Sequence, residues 1–241
     1  MLTEPGQARS GIVYGGKVYE TDGANPVGVR DWEDIRLLAP VSRPPTVRLF
    51  AHNPDLPTWE RDPAPEFLYI NPGNIRATQE PVPGPASPLH VTPCLAVVLA
   101  GSGSNVPVDV ADDLVLGFGL SLVFSNSAAE FPARAYDVGF NLGPALTTPD
   151  ELESLGEASA RGRTYELTFS LSRNGEPTET LELSAGSATV AESLSSASLT
   201  APLRVGELFL FALSAPLACA EPGDVLELRG DPLGTLATRV L

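Results

Sequence analysis

Few side chains in this chain could carry chemistry, and they gather in a handful of places. His90, Thr92 and Cys94 alternate, and a strand turns residues two apart to one face. His52 follows the short apolar run Val47–Phe50 and could bring a second imidazole. Two imidazoles and a thiolate would suit zinc. Cys94 with His90 or His52 as its base would be a minimal nucleophilic pair. Against both stands the ordinary fate of cysteine as a small buried hydrophobe. The sample is also small, with two histidines and two cysteines, Cys94 and Cys219. Arg134 offers a planar guanidinium fork that suits a carboxylate ligand. A structural ion pair with Asp137 would use the same two groups. Glu60 is a lone carboxylate in a proline-rich loop. Asp109, Asp112 and Asp113 read as a helix cap and a solvated face, not as a calcium loop. Gly101-Ser-Gly-Ser has no Gly-Lys-Ser/Thr after it and is a turn. No G-x-S-x-G elbow occurs. Lys17 is the only lysine, which sets Schiff-base chemistry aside.

The elements that must position these residues are mostly strands. Residues 12–19, turning at Gly15-Gly16, read as a hairpin, and 31–35 as one helical turn. Val47–Phe50 and Phe67–Ile70 are short strands. Between them, Pro54, Pro57, Pro63 and Pro65 mark a loop. Residues 78–93 carry five prolines and read as an irregular crossing. The apolar runs 95–99 and 117–124 suggest strands buried on both faces. Residues 109–116 read as a helix capped by Asp109. Thr148-Pro-Asp-Glu is a capping box that predicts a helix. Tyr165, Leu167, Phe169 and Leu171 alternate toward Asn174-Gly175, and Leu181 and Leu183 return. This predicts a hairpin with a type I′ turn. A helix over 187–196 and strands at 208–213, 225–228 and 236–240 complete a mainly β fold with short helices, a mixed β-roll or barrel rather than βαβ units.

Composition bounds the partners. The 241 residues carry 30 acidic and 15 basic side chains, a net charge of −15. Nucleic acid and anionic membranes both need clustered positive charge, so neither is an expected partner. The longest apolar run, 114–124, is well short of a bilayer span. The N-terminal residues lack a basic and apolar leader pattern. The expectation is a cytoplasmic protein with reduced thiols.

In order along 36–241, several motifs resemble the fumarylacetoacetate hydrolase family. They are Arg36-Leu-Leu-Ala-Pro-Val, Cys94-Leu-Ala-Val-Val-Leu, Asn105-Val-Pro-Val before an acidic helix, and Gly117-Phe-Gly. Arg134-Ala-Tyr-Asp-Val-Gly-Phe-Asn-Leu-Gly-Pro, running on to Thr148-Pro-Asp-Glu-Leu, is the most specific. Asn174-Gly-Glu, Glu221-Pro-Gly-Asp-Val and Gly234-Thr-Leu follow. The resemblance implies a small N-terminal β segment over 1–40, a mixed β-roll domain over 41–241, and a homodimer. It also implies Mg²⁺ or Mn²⁺ held by two glutamates and an aspartate, with a loop histidine and glutamate that activate water for C–C cleavage.

Carried across position by position, the glutamates fall on Thr92 and Cys94 and the aspartate on Val123. The loop histidine falls on Pro57, while Glu60 keeps the loop glutamate. A substrate-binding lysine falls on Arg134, a second falls near Ile70, and Asp137 is kept. Pro93, between the two former glutamates, favours an edge or bulged strand. The reading is a family protein without the metal site and without an expected cofactor. It would bind a small anionic, 2-oxo acid-like ligand through Arg134 and Asp137, with little or no family activity. The alternatives are an acylpyruvate or 2-hydroxyhepta-2,4-diene-1,7-dioate hydrolase or isomerase with a rebuilt site, and a non-catalytic subunit of an active paralogue.

Overall fold

The structure is a computed structural model and describes residues 8–23, 25–50, 67–84, 89–126, 128, 132–183 and 188–241, with backbone alone at 132–134 and 218–219. His52, Pro57 and Glu60 lie outside the described residues. The chain divides into two compact units, Met1–Leu38 and Ala39–Leu241.

The first unit is an antiparallel three-stranded sheet of β1 (Ser10–Tyr14), β2 (Lys17–Asp22) and β3 (Asn25–Asp31). Gly15 and Gly16 turn β1 into β2 with φ of +58° and +75°, a conformation glycine adopts at no steric cost. The third strand was not foreseen. Its alternation is diluted by Pro26 and Gly28, and it carries a bulge opposite Glu20 and Thr21.

The second unit runs β4 (Val47–Phe50), β5 (Phe67–Ile70), β6 (Ile75–Arg76), β7 (Leu89–Leu99), α1 (Val108–Ala111), β8 (Val115–Ser125), β9 (Gly139–Thr147), β10 (Gly156–Ser159) and β11 (Gly162–Tyr165). It continues with β12 (Thr168–Arg173), β13 (Glu176–Glu182), α2 (Val190–Thr200), β14 (Leu208–Ala212), β15 (Leu217–Ala220), β16 (Val225–Gly230) and β17 (Gly234–Arg239). An eight-stranded sheet, in the order β5-β4-β14-β7-β8-β9-β6 with β15 also on β7, curls into a half-barrel. A four-stranded sheet, β13-β12-β16-β17, and α2 cover one of its faces.

Strands β7 and β8 are eleven residues each and almost wholly buried, as the apolar runs 95–99 and 117–124 within them suggest. They separate two apolar clusters. Leu95, Val97, Phe118, Leu120, Leu122, Phe124 and Phe209 pack with Phe169, Leu171, Leu228, Leu236 and Leu194 on the covered side. Val47, Leu49, Cys94, Ala96, Val98, Val123, Phe140, Leu142, Leu208 and Leu210 form the other.

Several expectations are corrected. Residues 89–93 belong to β7, so the irregular crossing ends before Leu89. Pro93 is in a central strand, not at an edge. Its carbonyl accepts the Leu213 N–H at 2.9 Å. A residue's N and C=O share one side of a strand, so its missing donor faces the interval where β14 has ended at Ala212 and β15 has not begun. The capping box at Thr148 opens turns and a 3-10 turn at Glu153–Leu155. Half of the box is present, since the Glu151 carboxylate accepts the Thr148 N–H at 3.3 Å, but Gly156 starts a strand before a helix can propagate. The helix at 109 is one α-turn, with Pro107 at the N-cap position making no capping hydrogen bond and Asp109 inside the turn. The box at Thr189 and Glu192 is complete and starts the eleven-residue α2. The Asn174-Gly175 turn, with φ of +55° and +83°, joins β12 and β13 as expected of type I′.

One buried ion pair ties three elements together. Arg48 of β4 meets Glu207 at 2.9 Å, both side chains about 1% exposed. Thr46 also donates to Glu207, Arg48 donates to the Ala197 carbonyl of α2 at 3.2 Å, and the guanidinium lies over the rings of Phe67, Tyr69 and Phe209 at 5.2, 5.6 and 5.2 Å. Every charge is thus met by an opposite charge, a carbonyl or a ring face.

Candidate functional site

The register of β7 against β8 decides which side chains meet. Thr92 pairs with Val123, Cys94 with Ser121 and His90 with Ser125. Val123 in turn pairs with Phe140 of β9, and Cys94 pairs with Ala212 of β14. These residues therefore share one face of the half-barrel. Thr92, Cys94 and Val123, onto which the resemblance carries three ligand positions, lie on this face, with Val123 opposite Thr92 and Cys94 two residues along the strand. All three are buried.

The chemistry of that face is apolar. Cys94 and Val123 sit among Val47, Leu49, Ile70, Phe140 and Leu210, with Tyr136 packed against them. The Cys94 thiol donates to the Thr92 carbonyl at 3.5 Å, and burial pushes it far above its ordinary value. A thiol so placed is a poor thiolate and therefore a poor nucleophile. The Tyr136 phenol is also raised, by burial and then by the neighbouring Cys94. Ser121 donates to the Asn141 carbonyl at 2.8 Å. A hydroxyl, a thiol and an isopropyl group do not fit a hard divalent cation, which needs carboxylate or carbonyl oxygens. Among the described residues, no group of three or more His, Cys, Asp and Glu could hold a metal ion. His90 is half-buried, four residues from Cys94 along the extended strand. His52, the third member of the zinc set, is outside the described residues.

Arg134 and Asp137 lie in the 3-10 stretch Pro132–Val138. The Arg134 side chain is outside the description, and Asp137 is exposed. The end of this stretch is fixed from below by β6 and the turn before it. Asn74 donates to the Asp137 carbonyl at 2.6 Å. Arg76 donates to the Val138 carbonyl at 2.8 Å and to Asn74 at 3.3 Å. Burial lowers the Arg76 guanidinium from its ordinary value, while the Glu80 charge opposes it. Gly139 then turns with φ +98°, where a Cβ would strike the Asn74 backbone. Tyr136, between Arg134 and Asp137, faces the apolar cluster, so the stretch runs along the edge of the face that holds Thr92, Cys94 and Val123.

Asn74, Arg76, Tyr136 and Asn141 were not singled out from sequence. Asn141 donates to the carbonyls of Ala77 and Glu80 at 2.7 and 2.8 Å and clamps the turn after β6. Tyr136 and Asn141 were both within the quoted motif, and Tyr136 could have been found. The Asn74 and Asn141 contacts span more than sixty residues and leave no local signal.

Residues 46–241 match the family described as fumarylacetoacetate (FAA) hydrolase C-terminal. The chain belongs to the fumarylacetoacetate hydrolase family. Family structures share its fold across nearly the whole chain. A 5-carboxymethyl-2-hydroxymuconate delta-isomerase from Mycobacterium smegmatis is 20% identical, with 97% of this chain and 93% of that one covered and a TM-score of 0.71. A 2-hydroxyhepta-2,4-diene-1,7-dioate isomerase from Mycobacterium marinum is 21% identical, with 93% and 87% covered and a TM-score of 0.73. A maleylpyruvate hydrolase from Sphingobium sp. SYK-6, solved with manganese (II) ion and pyruvate, is 18% identical, with 97% and 96% covered and a TM-score of 0.74. At these identities the likeness establishes the fold. The search of curated proteins finds no match. No helix among the described residues is long and apolar enough to cross a membrane.

Proposed function

We propose that this fumarylacetoacetate hydrolase family chain has lost the family's metal site and acts without metal-dependent hydrolase or isomerase chemistry. It binds a small anionic ligand of the 2-oxo acid kind at the edge of the half-barrel. The observation that carries the reading is the makeup of one face. Thr92, Cys94 and Val123 come together there, buried, without a carboxylate among them. The manganese and pyruvate of the Sphingobium maleylpyruvate hydrolase supply the ligand class. In this chain Arg134 is the group suited to such a carboxylate. Asp137 is its neighbour on a stretch whose end is held by Asn74 and Arg76.

The test is a paired experiment. Pyruvate and oxaloacetate binding is followed by titration calorimetry with and without Mn²⁺, and turnover of oxaloacetate and an acylpyruvate is assayed in parallel. Binding independent of Mn²⁺, weakened at least about tenfold in Arg134→Met, without turnover, is the expected outcome. Mn²⁺-dependent turnover at the rate of an ordinary enzyme, about 1 s⁻¹ or more, contradicts it and favours a rebuilt active site.

A further inference from the structure

An asparagine side chain loses its amide when the next backbone nitrogen attacks it, and the following residue decides how readily. The chain has eight asparagines. Asn25, Asn53 and Asn71 precede proline, whose nitrogen has no hydrogen to give up. Asn74, Asn105 and Asn141 precede isoleucine, valine and leucine, and Asn126 precedes serine. Only Asn174 precedes glycine, which puts no Cβ in the way of the attack. Both residues of this β12–β13 turn are exposed, and even a Cβ on Gly175 would meet nothing within 4 Å. The attacking nitrogen is therefore unhindered.

The fold nevertheless holds the amide itself. Asn174 Nδ2 donates to Asp224 Oδ1 at 2.8 Å. Its Oδ1 accepts the Val225 N–H at 2.9 Å, and its main-chain N–H donates to the Val225 carbonyl at 2.8 Å. The other Asp224 oxygen meets Arg173 at 2.8 Å and accepts the Glu221 N–H at 2.8 Å. Asp224 is thus fixed before it takes the Asn174 amide. Ring closure turns Cγ tetrahedral and expels Nδ2, so the bond to Asp224 must be given up first.

We infer that Asn174 is a deamidation site of this chain and that its bonds to Asp224 and Val225 set how fast it reacts. The Gly175 nitrogen bonds to Cγ, the Cγ–Nδ2 bond breaks, and Nδ2 leaves as ammonia with the proton from Gly175. Water then opens the cyclic imide at either carbonyl, leaving aspartate or isoaspartate in the turn. The product loosens the fold where it forms. A new carboxylate has no donor for Asp224 and competes with it for Arg173 as a like charge. The isoaspartate form also adds a backbone atom to a two-residue turn whose length fixes the hairpin register. The inference concerns this turn alone and does not depend on the proposed function.

The full chain is incubated at mildly alkaline pH, natively and in urea. Each asparagine is followed by peptide mapping for the mass gain that accompanies loss of ammonia and uptake of water. In urea Asn174 is expected to react before any other asparagine. In the native chain its rate falls by about tenfold or more, because one charge-assisted and one neutral hydrogen bond must open first. Asp224→Ala, shown to be folded by circular dichroism, deamidates there at least about fivefold faster than the native wild type. Asn174→Asp, which reproduces one product, melts about 2–4 °C below the wild type. The native-to-urea comparison uses the wild type alone, so it stands even where Asp224→Ala does not fold. Another asparagine reacting first in urea overturns the site. Equal native and unfolded rates at Asn174, or a native rate that folded Asp224→Ala leaves unchanged, overturn the part given to Asp224 and Val225. An unshifted melting temperature for Asn174→Asp overturns the loosening.

Discussion

Val123 offers a quantitative view of the apolar face of the half-barrel that holds Thr92 and Cys94. In Val123→Asp, the new side chain sits at a position 1% exposed, across from Thr92 and Phe140 and within a cluster that includes Cys94 and Leu210. Removing a fully buried valine costs about 1.5–3 kcal/mol of apolar transfer. The carboxyl has no arginine or lysine in that cluster to pair with, so desolvation raises its pKa by about 2–3 units above the unfolded value near 3.9. At 1.36 kcal/mol per unit this adds about 3–4 kcal/mol at neutral pH. The total, about 4–7 kcal/mol, approaches the whole stability of an ordinary domain. The sign of the pH dependence follows from the raised pKa. Between the unfolded and folded values the native state holds a proton that the unfolded state has released, so each unit of falling pH recovers about 1.36 kcal/mol. Above the folded pKa the penalty is complete and flat. Urea denaturation followed by circular dichroism at pH 5, 6, 7 and 8 reads both quantities. A loss under about 1 kcal/mol with no pH dependence would refute the reasoning, because it would mean that Val123 borders water rather than an apolar cluster.

Breaking the buried Arg48–Glu207 pair from one side should cost about 3–5 kcal/mol. Arg48→Met alone therefore destabilises strongly, while Arg48→Met/Glu207→Leu recovers most of the loss in the same denaturation assay. Cys94 should resist iodoacetamide at neutral pH in the native protein and react in urea, read as mass shifts on its peptide, since burial keeps the thiol protonated. Burial raises Asp224, but the Glu221 N–H, the Asn174 amide and Arg173 outweigh it and hold its carboxyl below the ordinary value. Its stabilisation is complete above the unfolded pKa and is lost as pH falls through the folded one. Asp224→Asn should lower the melting temperature by about 2–4 °C at pH 7, for a loss near 1 kcal/mol, with the difference vanishing in acid.

The parts of the fold legible in sequence are those written in short-range patterns. Asn174-Gly175 between alternating runs, the Val190–Leu194 spacing of α2 and the apolar stretches 95–99 and 117–124 within β7 and β8 each specify their element locally. Residues 89–93 did not, because Pro88 and Pro93 look like loop punctuation. Only the ending of β14 opposite Pro93 makes a proline harmless in a central strand. The strands β3, β10 and β11 are polar or interrupted by glycine and proline, and the four-residue β15 is defined by its pairing with β7, far along the chain. At the site, the convergence of Thr92, Cys94 and Val123 followed from the family resemblance and strand parity. The supports Asn74, Arg76 and Asn141 were illegible because each holds backbone carbonyls, a bond any sequence can accept.

Divalent metal binding tests the central claim most directly. Titration calorimetry of Mn²⁺ into the wild-type chain, with Thr92→Glu/Cys94→Glu/Val123→Asp as the comparison, measures whether the face lacks only its carboxylates. The account predicts no heat of specific binding and no change in melting temperature for the wild type. The triple variant, largely unfolded without metal because it buries three carboxylates, should gain saturable Mn²⁺ binding together with a cooperative melting transition whose midpoint rises with Mn²⁺ by mass action. Stoichiometric Mn²⁺ binding by the wild type would contradict it.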